Sequence, residues 1–169
     1  MKQTSLTFVI ALSLAVCLPA AYAGELENEF PGIGSIEAWK SSRPEFANGL
    51  AFMRSKQWDQ AIARFRAALA LYPSDYRCYL EIGRAIEEKG GSVDDAEDAY
   101  RSALRLNSQS WRAWKRLANI LFIKKKYGDA REAVSNAIQL NPPPRERAEL
   151  EGMIQSINSG ERIDQPELQ

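Results

Sequence analysis

The chain has 169 residues, 22 Lys and Arg against 22 Asp and Glu, no His, and 45% hydrophobic residues. That length and apolar content fit one folded domain, not a disordered chain. A formal charge of zero excludes a strongly basic nucleic-acid binder. The missing His excludes Ser-His-Asp and Cys-His catalysis, His-ligated metals and any switch built on a titrating imidazole.

Residues 1–23 have the pattern of a secretory signal peptide. Lys2 supplies the positive end, Leu6 to Val16 form an apolar run of 11 residues, and Pro19 breaks it. Ala21-Tyr22-Ala23 presents small residues where a signal peptidase reads, so cleavage is expected before Gly24. The apolar run is shorter than the ~20 residues a membrane span requires. A second reading stays open. Leu14-Ala15-Val16-Cys17 is similar to a bacterial lipobox, although Val16 is large for the position before the Cys. Lipidation at Cys17 would tether the chain through acyl chains alone. Removal of the signal takes one Lys and Cys17 with it. The single remaining thiol, Cys78, cannot form an internal disulfide and reads as a small buried apolar group.

From Gly24 to Ser41 the chain has a Pro31-Gly32-Ile33-Gly34 turn followed by Ile36 and Trp39, spaced i, i+3. Two readings stay open for this arm: a short helix over 35–40 that packs both apolar groups onto the next segment, or a disordered segment that docks on a partner.

A pattern then recurs three times with a period of about 34 residues. Ala61-x3-Phe65-x2-Ala68 returns as Ala96-x3-Tyr100-x2-Ala103 and as Ala130-x3-Val134-x2-Ala137. Upstream of each stands a second block: Gly49-x2-Phe52, then Tyr79-x2-Ile82-Gly83-x2-Ile86, then Trp114-x2-Leu117-Ala118-x2-Leu121. Trp58, Val93 and Tyr127 precede the three landmark alanines by three residues. Each copy holds two helix-length apolar-periodic stretches around a polar turn. The small positions let paired helices approach closely and the large ones fill the space between them. Pro73 and Pro142 stop the second helix of their copies, and Gly90-Gly91 absorbs one inserted residue.

These landmarks resemble the tetratricopeptide repeat (TPR) family, with the copies at 42–75, 76–110 and 111–143. Glu45 and Asn48 depart from the family's aromatic and Leu in the first copy, and Ser108 replaces Pro in the second. The resemblance implies an all-α TPR-type solenoid, three helix-turn-helix repeats in a right-handed superhelix, with the first helix of each pair lining a concave groove. One hairpin cannot bury its own apolar face, so the last copy requires a cap. Residues 144–158 supply it, with Leu150, Met153, Ile154 and Ile157 on one stripe. Asn158-Ser159-Gly160 is expected to end that helix, and 159–169 reads as a loose tail.

Alignment to the family carries its groove positions over to this chain. The first copy gives Arg43, Phe46, Leu50, Met53 and Arg54. The second gives Arg77, Leu80, Arg84, Glu87 and Glu88. The third gives Arg112, Lys115, Asn119, Phe122 and Ile123. The candidate peptide-binding residues among these are Met53, Arg54, Arg77, Leu80, Arg84, Arg112, Lys115, Asn119 and Phe122. Arg forks bind carboxylates and Asn119 can bond a peptide backbone, so an acidic extended segment or a C-terminus would suit them. A solvated polar face that binds nothing is the alternative. Some family members grip a C-terminal carboxylate with a Lys/Asn clamp. Arg112 and Arg116 match its third-repeat part, but Phe46, Leu50 and Glu81 stand at its other positions.

The acidic run Asp94 to Asp98 lacks the spacing of a calcium loop and sits where carboxylates favour a helix N-terminus. Lys124-Lys125-Lys126 is the mirror case at a helix C-terminus. The expectation is an exported, periplasmic bacterial scaffold that binds protein or peptide, without cofactor, catalysis or nucleic acid. The alternatives are an envelope lipoprotein or oligomeric subunit acting through its ends or convex face and, more remotely, a carboxylate-based hydrolase.

Overall fold

The computed structural model describes residues 33–164. The expected signal peptide, Cys17, the arm up to residue 32 and residues 165–169 of the tail lie outside the described residues. Seven helices and no strand occur among the described residues: α1 (Ile33–Arg54), α2 (Trp58–Leu71), α3 (Tyr76–Glu88), α4 (Val93–Leu106), α5 (Trp111–Ile123), α6 (Tyr127–Gln139) and α7 (Pro144–Asp164). None is long and apolar enough to cross a membrane.

The chain divides into two units, residues 1–41 and 42–169, and α1 begins in one and ends in the other. The separate short helix over 35–40 is replaced by this single helix, which starts at Ile33, inside the expected turn. Pro44 lies within it, so the ladder N–H at that position is missing. In the first unit Lys40 Nζ donates to Glu37 Oε1 at 2.9 Å, and Ile36, expected as an apolar anchor, is 48% exposed.

In the second unit the landmark residues form the hairpin interiors. Ala61, Ala96 and Ala130, Ala68, Ala103 and Ala137, and the larger Phe65, Tyr100 and Val134 are all buried. Gly49 faces Phe65 so closely that a β-carbon there would lie 2.5 Å from the ring. At Gly83 the same atom would lie 2.6 Å from the Tyr100 ring. Glycine at these two sites is what lets the paired helices close on an aromatic side chain. In the third hairpin Ala118 and Val134 hold the equivalent places, both fully buried. The Glu45 and Asn48 departures leave the first hairpin intact, because Phe46 packs on Phe65 with ring centroids 5.5 Å apart.

Local polar groups set the helix ends. Asp75, Ser92 and Ser110 accept backbone N–H bonds from Arg77, Asp95 and Ala113 and so start α3, α4 and α5. At the other end, α1, α3 and α5 each close on a left-handed residue: Lys56, Gly90 and Lys125. The next N–H in each case returns to the carbonyl five residues back, from Gln57 to Phe52, Gly91 to Ile86 and Lys126 to Leu121.

Successive repeats are tied by one recurring ion pair. Lys89 Nζ meets Asp59 Oδ1 at 2.7 Å, and 35 residues later Lys124 Nζ meets Asp94 Oδ1 at 2.5 Å and Glu97 Oε2 at 2.6 Å. The first residue of the basic run thus answers two members of the acidic run. Cys78 is fully buried in the core, and burial, then the nearby Asp75 charge, push its thiol up to about 12. It is therefore protonated and unreactive at neutral pH.

α7 covers the last hairpin with Leu150 and Ile157, both buried, and with the partly buried Met153 and Ile154. It does not stop at Asn158-Ser159-Gly160 but continues to Asp164. A β-carbon on Gly160 would lie 2.9 Å from Phe122 and 3.1 Å from Tyr127. This glycine serves close packing, not termination. Because Glu146 and Glu149 reach Lys115 near the start of α5 while Gly160 reaches Phe122 near its end, α7 runs beside α5 in the same direction. It takes the place a further repeat's first helix would have.

Candidate functional site: a charged cleft between repeats and cap

A cleft of about 400 Å³ opens where α3, α5 and α7 face each other. Leu80, Glu81 and Arg84 come from α3, Trp111, Arg112, Lys115, Arg116 and Asn119 from α5, and Glu146 from α7. The α3 group falls at i, i+1, i+4 and the α5 group at i, i+1, i+4, i+5, i+8, so each lies along one helical stripe. Five of the nine candidate residues meet here: Leu80, Arg84, Arg112, Lys115 and Asn119.

The other four do not. Met53 is only 5% exposed and belongs to the hydrophobic core, because its stripe on α1 faces inward. Arg54 is exposed at the last position of α1 and does not line the cleft. Arg77 is spent on the fold: Nε and Nη2 grip the two oxygens of buried Asp75 at 2.8 and 2.6 Å, and its guanidinium carbon lies 4.9 Å from the Phe46 ring centroid. The Asp75 hydrogen bonds outweigh the opposing effect of burial and raise the Arg77 pKa further. Phe122 packs against Tyr127 with centroids 5.9 Å apart and against Gly160 of α7, so the cap covers it.

Most of the cleft's cations already have carboxylate partners. Arg84 Nη1 donates to Glu81 Oε2 at 3.1 Å. Lys115 Nζ donates to Glu146 Oε2 at 2.6 Å and Glu149 Oε2 at 2.5 Å. Burial would lower the Lys115 pKa, but the two glutamates more than offset it and the net shift is upward. Arg116 Nη1 lies 3.6 Å from Glu87 Oε2, and the buried Tyr100 hydroxyl donates to the same carboxylate. Burial, then this bond, push the Tyr100 phenol up, so it stays a donor.

Arg84 Nε is buried with no hydrogen-bond partner. Among the described residues of the cleft, one cation is left for an incoming acceptor. Arg112 forms no ion pair with any described carboxylate; its guanidinium carbon sits 4.7 Å from the Trp111 ring centroid. A cation on an aromatic face and the apolar side chains of Leu80 and Trp111 together can take a carboxylate with apolar neighbours.

Trp111 and Glu146 escaped the sequence reading. The family's groove positions do not include the residue that opens each first helix, which left out Trp111. Glu146 lies outside the three copies. Extending the 34-residue register past Pro143 would have found it, since that register pairs Lys115 with Glu149 one turn along.

A family model described as tetratricopeptide repeat matches residues 46–110 and 86–143, more than half of the chain. Human protein O-mannosyl-transferase TMTC1 is 32% identical over 149 residues, which cover 83% of this chain but only 16% of that protein. The Yersinia enterocolitica type III secretion chaperone SycD, solved with a peptide of the translocator YopD, superposes with a TM-score of 0.65 at 19% identity. The match covers 70% of this chain and 93% of SycD. The first TPR of Spaghetti (RPAP3), solved with the HSP90 peptide SRMEEVD, superposes with a TM-score of 0.63 at 17% identity over 71% of this chain and 95% of its own. At these identities the solved structures share the fold. With its repeated hairpins and the matching family model, the chain belongs to the tetratricopeptide repeat family.

Proposed function

We propose that the protein is a binding scaffold whose cleft takes an extended protein segment carrying a carboxylate, either an acidic side chain or a C-terminus. The observation that carries this is Arg112, stacked on Trp111 and without an ion pair to any described carboxylate. Leu80 and Trp111 supply apolar surface beside it, and Asn119 supplies an amide for the peptide backbone. SycD with its YopD peptide and Spaghetti with SRMEEVD support the same use of the fold. No step of this function is chemical; the chain acts by holding a partner.

The export pattern of residues 1–23 supports a scaffold of the bacterial envelope, most simply of the periplasm, with cleavage before Gly24. Mass spectrometry of the mature N-terminus checks this. An N-terminal Gly24 supports it, an acylated Cys17 makes the protein a lipid-anchored scaffold instead, and an intact Met1 refutes cleavage before Gly24.

The binding reading is tested with a random 12-residue peptide library displayed on phage, selected on the purified chain. Enriched peptides are expected to carry a carboxylate next to apolar residues. Their affinity should fall at least about tenfold in Arg84→Gln/Arg112→Gln, with the helical content unchanged by circular dichroism. No enrichment, or equal affinity for the variant, refutes the cleft as the binding site.

A further inference from the structure

The cap contributes more than a cover for the last hairpin. Glu146 and Glu149, one turn apart on α7, both reach a single cation, Lys115, at 2.6 and 2.5 Å. Lys115 has only 21% of its side chain exposed, so the three groups form one compact cluster at the α7 side of the cleft. Arg145 Nε lies 3.4 Å from the second oxygen of Glu149 and helps hold it in place. Two carboxylates on one ammonium leave that end of the cleft neutral to negative. Arg112 remains available at the other side.

We propose that Glu146 and Glu149 determine the ligand class of the cleft: by holding Lys115 they restrict it to segments with one carboxylate and disfavour two adjacent ones. This deepens the peptide-binding reading and rests on it. A single ligand carboxylate meets Arg112. A second one beside it has no free cation to meet and comes close to Glu146, where like charges in a partly dehydrated cleft repel. The glutamates act as a built-in occupant of the Lys115 subsite. The same α5 residues would read an acidic run if α7 lacked these two side chains.

Two fluorescein-labelled, C-terminally amidated peptides of identical apolar sequence test this, one with a single central Asp and one with two adjacent Asp residues. Fluorescence polarisation is expected to show the wild type favouring the singly acidic peptide by about threefold or more. Glu146→Gln/Glu149→Gln should favour the doubly acidic peptide by about tenfold, and adding Lys115→Met should abolish that gain. Equal binding of the two peptides or a preference for the doubly acidic one in the wild type, or no gain in the double variant, overturns the proposal.

A second measurement needs no ligand. After reductive ¹³C-methylation, the Lys115 resonance, assigned through Lys115→Arg, should titrate above the exposed lysines and return toward them in Glu146→Gln/Glu149→Gln. A normal Lys115 titration in the wild type shows the cluster itself to be absent. A raised one, with neither peptide bound, refutes the binding reading and the ligand class with it, while leaving the cluster standing.

Discussion

The second and third hairpins perform one packing task with different residues. The second sets Gly83 against the buried ring of Tyr100, and the third puts Ala118 and Val134 at the same places. A methyl group gained on one helix goes with a ring lost from the other, so the pairing of a small residue with a larger one recurs while neither residue does. The turns after α3 and α5 differ likewise: Gly90 takes the left-handed position in one and Lys125 in the other. What recurs every 34 or 35 residues is therefore a size and a backbone shape. Chemistry enters only where polar groups must be paired, as at Lys89–Asp59 and Lys124–Asp94.

The largest expected effect breaks this size rule. Gly83→Val would drive a branched side chain into the Tyr100 ring and should destabilise the protein by about 3 kcal/mol. Ala118→Gly at the equivalent site should cost only about 1 kcal/mol, mainly from helix propensity. Urea unfolding midpoints of the two variants check the contrast, and equal losses would show that the hairpins are not packed in the same register.

A smaller effect tests the polar tie between the same two repeats. The hydrogen bond from Lys124, with help from Arg101, holds the Glu97 carboxyl below its ordinary value against the effect of burial. A lowered pKa means stability that is present above the ordinary carboxylate range and lost as pH falls through the lowered value. The urea midpoint of the wild type should therefore drop more between about pH 5 and about pH 3 than that of Glu97→Gln. Parallel curves would mean that the tie contributes nothing to folding.

The smallest effect has the opposite sign. Lys125 sits at φ 57°, where a side chain is strained, while the third repeat otherwise closes like the second. Lys125→Gly should stabilise the chain by about 0.5–1 kcal/mol, seen as a higher thermal midpoint. A loss would mean that the Lys125 side chain holds the turn by interactions that outweigh its backbone strain.

The repeat architecture was legible because small and large residues recur together, and close packing leaves few alternatives to that order. The site was legible in part. Leu80, Arg84, Arg112, Lys115 and Asn119 fall together because they share helix faces fixed by the register. Met53 and Phe122 were misplaced for a common reason. A large apolar residue on a first helix reads the same whether it faces a groove or a neighbouring helix, and only the neighbour decides. Arg77 was misplaced because its partner, Asp75, lies two residues away in a turn, where spacing along a helix predicts nothing.

By itself, the sequence determined the helices, their pairing and the stacking order, since periodicity and side-chain volume act over short stretches of chain. The tertiary structure decided which cations are available. Lys115 is neutralised from 31 and 34 residues away by a helix outside the repeats, while Arg112 is left on the face of Trp111. Charge pairing depends on a few ångströms between distant segments, and no one-dimensional period encodes those distances.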